Sequence, residues 1–193
     1  MMKKKFLDTN LKNKSKTVED KIQLFEYNGI KLPLPTEIEI SESGTCNRTC
    51  SFCPRSATDF VDKKEFITNK LHEKLCIELQ KLNYKGTIRY SGFVEPMLDK
   101  NIYNLISMVK KFLPNCNVEM VTNGDPLNLS RLNKVFESGL NRILISAYDG
   151  KEDADKLEDL CKEAQLSSDQ YIVRHRYYSE EKDFGITLSN RSG

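Results

Sequence analysis

The fold class that this sequence predicts is α/β, a partial (β/α) barrel of about five parallel strands with outer helices. Three observations predict it. First, five short strand-like runs alternate with helical runs between Thr36 and Tyr178, the pattern of βα units and a parallel sheet. Second, the strand runs mix charged and apolar residues. Glu37 and Glu39 alternate with Ile38 and Ile40, and Thr87, Arg89 and Ser91 alternate with Ile88 and Tyr90. Glu119 lies between Val118 and Met120, and Arg174 and Arg176 flank His175. Parallel strands covered by helices on both faces read as near-continuous apolar runs, so this period of two sets one face against helices and the other against something polar. A curved, partly open barrel with a wet lumen has such faces. Third, the loop after each of the first four strands carries cysteines, glycines or hydroxyls, and βα barrels place their functional loops at the C-terminal strand ends.

In chain order, residues 1 to about 20 are rich in Lys, Asn, Ser and Thr and read as a mobile, solvated leader. The segment KIQLFEYNGIKLPLP is expected to hold a short helix and then an extended lead-in, because Pro33 and Pro35 forbid a regular helix at its end. Residues 1–30 are thus leader and lead-in, and 31–193 are the core. Thr36–Ser41 is the first strand. A helix from about Thr68 to Asn83 sets Leu71, Leu75, Leu79 and Leu82 on one face. Thr87–Phe93 is the second strand, and its helix carries Ile102, Leu105, Ile106, Val109 and Phe112. Asn117–Asn123 is the third, followed by a helix through Leu129, Leu132, Phe136 and Leu140. Arg142–Tyr148 is the fourth, followed by Leu157, Leu160 and Ala164, and Gln170–Tyr178 is the fifth.

With 193 residues, the chain is long enough for one domain with a real core. A net charge of +2 argues against a dedicated nucleic-acid binder. No apolar run approaches the roughly 18 residues that a bilayer span needs, and Lys3, Lys4 and Lys5 precede no apolar signal region. A cytoplasmic location is expected. Six cysteines are then better read as metal ligands and buried thiols than as disulfides, with Cys76, Cys116 and Cys161 as the buried ones.

The stretch CNRTCSFC brings Cys46, Cys50 and Cys53 within eight residues. Thiolates at these gaps converge on one inorganic centre, and a soft sulfur cage selects iron–sulfur clusters, zinc or copper(I). Structural zinc sites close with four ligands, and the next candidates, His72 and Cys76, fall in a helix. The natural reading is a three-cysteine cluster with one iron left open.

CNRTCSFC resembles the CxxxCxxC signature of the radical S-adenosylmethionine (SAM) enzymes, including the aromatic Phe52 before the third cysteine. The resemblance implies a [4Fe–4S] cluster on Cys46, Cys50 and Cys53. Its open iron is chelated by the amino and carboxylate groups of SAM, and an electron donor such as flavodoxin or ferredoxin supplies it. Reductive cleavage of SAM then gives a 5′-deoxyadenosyl radical that abstracts hydrogen from a substrate the sequence does not identify. SGFVEP resembles the family's glycine-rich motif after the second strand, which assigns Ser91, Gly92 and Glu95 to the SAM ammonium, with Phe93 and Val94 where small residues are common. VTNGDPL resembles the family's third strand end and adds Asn123, although Asn123-Gly124 is equally a turn. ISAYDG resembles the fourth and assigns Ser146 to the SAM ribose or carboxylate, while Asp149-Gly150 makes the next turn. Arg174, or less favourably Arg176, reaches the SAM carboxylate or an acidic substrate, Arg55 serves the cluster's electrostatics, and His175 is packed or on the surface. No catalytic residue is assigned.

The resemblance covers about residues 36–193. Asn190-Arg191-Ser192-Gly193 resembles the segment that precedes the cysteine-rich C-terminal extension of SPASM-type members, so the core reads as truncated before that extension. Three functions stand: a radical SAM enzyme, a cluster- or SAM-binding module or inactive homologue that needs a partner chain, and a zinc-stabilised binding domain. Five strands do not close a barrel, so the fifth is expected to be an edge open to such a partner.

Overall fold

The computed structural model describes residues 22–177. The readings of residues 1–20, of Tyr178 and of the Asn190-Arg191-Ser192-Gly193 segment lie outside the described residues.

The described chain opens on a β-hairpin, β1 (Leu24–Tyr27) and β2 (Ile30–Pro33), where the sequence reading placed a short helix. Tyr27 pairs with Ile30 across Asn28-Gly29, and both turn residues have positive φ, 51° and 77°. Asn-Gly with two left-handed residues makes the two-residue turn whose twist suits a hairpin. Pro33 is tolerated because it ends an edge strand. The hairpin is anchored through Gln23, whose Nε2 donates to the Asn83 carbonyl at 2.6 Å and whose Oε1 accepts from the Lys85 N–H at 3.0 Å.

Five parallel strands follow: β3 (Glu37–Ile40), β4 (Thr87–Tyr90), β5 (Asn117–Thr122), β6 (Arg142–Ala147) and β7 (Tyr171–His175). They lie side by side in chain order. Four helices cross between them: α1 (Asn69–Lys81), α2 (Ile102–Phe112), α3 (Leu129–Glu137) and α4 (Lys151–Glu163). Right-handed crossovers that always step in one direction put every helix on one face. That is the singly wound pattern of a barrel, and β3 and β7 are its edges among the described residues.

The charged and apolar alternation sorts as the sequence reading expects. Ile40, Ile88, Tyr90, Val118, Met120, Ile143, Ile145 and Ala147 join the helix-facing core. On the inner face, Glu39, Arg89, Glu119 and Arg142 fall on one register row. Arg89 is 6% exposed and donates from Nη1 to Glu37 at 2.6 Å and from Nη2 to Glu119 at 2.6 Å. Buried charge persists only when paired and hydrogen-bonded, and Glu119 also accepts from Asn117 Nδ2 at 2.8 Å. This ion layer fills the inner face towards the N-terminal strand ends and leaves the opposite ends for chemistry.

The helices pack as predicted, with one rotation. Ile102, Leu105, Ile106 and Val109 of α2 are buried. In α1, however, the buried residues are His72, Cys76 and Leu79, while Leu71 is 57% exposed. The core accepts His72 because its Nε2 lies 2.8 Å from the Tyr90 hydroxyl, and burial keeps the imidazole neutral by pulling its pKa down to about 4. Thr68 caps the helix by accepting from the Leu71 N–H at 3.2 Å.

Candidate functional site

The C-terminal strand ends converge on one pocket. The loop after β3 contributes Cys46, Arg48, Cys50 and Cys53, and Arg55 follows. The loop after β4 contributes Gly92 to Glu95. Val121, Thr122 and Asn123 come from the end of β5, and Ser146 and Tyr148 from the end of β6. None of the six cysteines is in a disulfide; the three in the pocket are partly exposed and the other three are buried. Local geometry curls the cysteine loop. The Cys53 N–H donates to the Cys50 carbonyl at 2.9 Å, and the Ser56 N–H donates to the Cys53 carbonyl at 2.9 Å. Pro54 starts a 3-10 turn to Ser56, with Cys53 as its extended cap, where a missing N–H costs nothing.

Two N–H donors meet the Cys46 sulfur, the Arg48 backbone at 3.4 Å and Asn123 Nδ2 at 3.9 Å. Burial pushes the Cys46 thiol up, and the Arg48 N–H pulls it back. Glu95 is 1% exposed, and its carboxylate already accepts three hydrogen bonds. They come from the Met97 N–H at 3.0 Å, the Thr122 hydroxyl at 2.7 Å and the Asn123 N–H at 2.7 Å. Glu95 therefore ties the loop after β4 to the end of β5. Burial pushes its pKa up, against the pull of those three donors.

The other sequence candidates divide. Gly92 lines the pocket with φ 121°, and a Cβ there would come within 2.1 Å of Ser41 Oγ. Its glycine is demanded by a close neighbour as well as by backbone conformation. Ser91 is buried off the pocket wall, and its carbonyl accepts from Ser41 Oγ at 2.9 Å. Ser146 lines the pocket, and Arg174 stands behind it, donating from Nη2 to Ser146 Oγ at 2.7 Å. Phe52 does not line the pocket but packs against Tyr148, with ring centroids 5.3 Å apart. Arg55 donates to the Gly44 and Phe93 carbonyls, each at 3.2 Å, and so bridges the cysteine loop to the β4 loop. His175 contacts the Tyr177 hydroxyl at 3.1 Å.

Residues 40–185 match the family model described as the radical SAM superfamily. The chain belongs to that superfamily. It is 28% identical over 156 residues to the S-adenosyl-L-methionine-dependent 2-deoxy-scyllo-inosamine dehydrogenase of Niallia circulans, covering 81% of this chain and 59% of that protein. It is 25% identical over 122 residues to the GTP 3′,8-cyclase of Campylobacter lari, covering 60% of this chain and 35% of that protein. Among solved structures, BtrN in complex with AdoMet and 2-DOIA superposes with a TM-score of 0.64 at 26% identity, over 73% of this chain and 56% of that one. The anSMEcpe structure with bound AdoMet, at 16% identity, shares the fold with a TM-score of 0.57. The chain thus spans little more than half the length of the dehydrogenase and of BtrN. No helix among the described residues is long and apolar enough to cross a membrane.

The pocket fits the group that a radical SAM protein implies. Three partly exposed thiols, none of them in a disulfide, share one cavity with two N–H donors on a sulfur, and no fourth Cys and no His lines it. Among the described residues no three His, Cys, Asp or Glu side chains close on a single metal ion. A cubane cluster spreads its ligands wider than one ion does.

Sequence reasoning missed the residues that hold this loop. Arg48 lies between the first two cysteines and bonds Asp125 and Asp149, while Asn47 Nδ2 donates to Asp125 at 2.8 Å. The available signal was a charged residue inside the cysteine motif opposite acids at two other strand ends. The turn at Asp149-Gly150 is as expected, with Gly150 at φ 124°, but Asp149 has this second use.

Glu42, just after β3, is 1% exposed; its Oε1 accepts from Ser43 Oγ at 3.1 Å, and its Oε2 has no hydrogen-bond partner. Burial raises its pKa from 4.5 to about 7. The folded chain then keeps a proton that the unfolded chain has lost, so this group's contribution to stability falls as pH rises from about 4.5 to 7. Glu42→Gln removes that dependence. The stability gap between variant and parent is expected to move about 3 kcal/mol in the variant's favour between pH 4.5 and 8. Urea unfolding at the two pH values measures it, and a gap that stays constant shows that Glu42 does not titrate this way.

Proposed function

We propose that this chain is the core of a radical SAM enzyme, spanning residues 31–193 with 1–30 as lead-in, that holds a [4Fe–4S] cluster on Cys46, Cys50 and Cys53 and binds SAM beside it. One observation carries the reading: three thiols outside any disulfide share a single pocket at the strand ends with Gly92–Glu95, Asn123 and Ser146. With a cluster held on those three sulfurs, the site would supply one electron for cleaving SAM to methionine and a 5′-deoxyadenosyl radical, the species that would take hydrogen from an unidentified substrate.

The chain's own residues hold and shelter. The Gly92–Glu95 backbone receives the SAM ammonium, kept in place because Glu95 is pinned to Thr122 and Asn123. The Ser146 hydroxyl meets the ribose or carboxylate, oriented by Arg174. Asn123 sets the Cys46 sulfur, and Phe52 with Tyr148 limits water on the cluster side. An electron donor of the flavodoxin or ferredoxin kind and a cytoplasmic location belong to the same proposal.

The test is anaerobic reconstitution with iron and sulfide, electron paramagnetic resonance with and without SAM, and 5′-deoxyadenosine measured after dithionite. A reduced-cluster signal that SAM changes, together with the nucleoside product, is expected. A colourless protein that binds zinc instead overturns it. A second reading, that a partner chain completes the site, has in its favour that β7 is an edge among the described residues. It expects slow, uncoupled SAM cleavage by the chain alone and acceleration when the partner is added.

A further inference from the structure

The cysteine loop is short, and few of its own backbone bonds hold it. Its ends are tied outward by the Glu95 N–H to the Thr45 carbonyl at 2.9 Å and by Arg55, and between Cys46 and Cys50 the attachment falls on Arg48 and its neighbour Asn47. The guanidinium donates from Nε to Asp125 Oδ2 at 2.6 Å, from Nη1 to Asp149 Oδ1 at 2.8 Å and from Nη2 to Asp149 Oδ2 at 2.6 Å, and Nη2 also bonds Asp125 Oδ1. Both carboxylates are gripped bidentately, the geometry in which an arginine pair is strong and directional. The guanidinium carbon also lies 5.6 Å from the Tyr148 ring centre, and that ring packs on Phe52 of the same loop. Asn47 joins the network by donating to Asp125 and accepting from Asn123 Nδ2, each at 2.8 Å. Asp125 and Asp149 belong to the loops after β5 and β6, so the clasp fastens a short loop to two rigid strand ends.

The consequence falls on a sulfur. The backbone N–H of the clasped residue is one of the two donors on Cys46 Sγ. Such N–H···S bonds are among the levers that set a cluster's reduction potential.

We propose that Arg48 is a positioning residue: gripped by Asp125 and Asp149, it holds the cysteine loop in its cluster-accepting shape before iron arrives and keeps a backbone donor on Cys46. The proposal rests on the radical SAM reading of the site. The residues act from outside the metal's coordination, as outer-shell partners do when they orient ligands, and loss of such partners costs roughly ten- to a hundredfold in metal affinity.

The experiment has two arms, on Arg48→Gln and on the Asp125→Asn/Asp149→Asn pair. In the metal-free chain, hydrogen exchange of residues 45–56 is compared with the parent, urea unfolding serving to show that the fold is kept. Faster exchange confined to this loop is expected in both variants. In the reconstituted chain, iron is expected to pass to a chelator roughly ten- to a hundredfold more readily, and the midpoint potential to fall as the N–H donor on Cys46 is loosened. Combining the variants should add little, because they break one unit. Parent-like exchange in the metal-free loop with unchanged iron retention and potential overturns the clasp. A parent that takes up no cluster overturns the function reading instead, and the exchange arm still decides the clasp.

Discussion

Replacing Cys46, Cys50 or Cys53 singly with alanine is expected to take bound iron and 5′-deoxyadenosine formation to background, while the same change at Cys76, Cys116 or Cys161 leaves both near the parent level. The two sets of thiols occupy different physical settings. The first three are partly exposed and line the pocket. The other three are at most 3% exposed. Burial pushes Cys76 and Cys116 up to about 11 and Cys161 up to about 12, so at neutral pH they are inert thiols packed as small hydrophobes. Cys116 also donates to the Tyr84 carbonyl at 3.2 Å. Losing one of three ligands leaves a cluster edge open to water and to loss of iron, whereas losing a core sulfur costs only packing. Iron and sulfide content and product chromatography on all six variants measure the contrast. Full iron retention in any one of the three pocket variants would remove that cysteine from the ligand set.

Glu95→Ala is expected to lose SAM binding and a large part of the chain's stability together. The family resemblance assigns Glu95 to the SAM ammonium, but the carboxylate is already engaged by the Met97 N–H, the Thr122 hydroxyl and the Asn123 N–H. Alanine strands three buried donors at about 1–3 kcal/mol each, a total on the order of 3–9 kcal/mol. That is a large fraction of the ordinary 5–15 kcal/mol of a folded domain. The strand end that presents Asn123 loosens at the same time, so SAM affinity falls through lost geometry. Urea unfolding beside anaerobic calorimetric titration separates the alternatives. Parent-like stability with a loss of affinity alone would mean that the carboxylate meets the cofactor rather than the loops.

The sequence by itself determined the parts of this protein whose physics is local. Alternating strands and helices, the split of each strand into a charged and an apolar face, and three cysteines at gaps of three and two residues are all readable within windows of a few residues. They led to a parallel barrel-type sheet and to the family. Asn28-Gly29 is itself a two-residue hairpin signal, at odds with the short helix expected in that segment, while Pro33 and Pro35 exclude a helix only at its end. Only the tertiary structure decided which face of α1 is buried, because His72 enters the core only if Tyr90 is there to meet it. It alone decided that Glu95 is a tie between loops, since two of its three partners lie 27 and 28 residues away. It alone joined Arg48 to Asp125 and Asp149, 77 and 101 residues apart. A side chain's periodicity says which way it points, and only the assembled sheet says what it will find there.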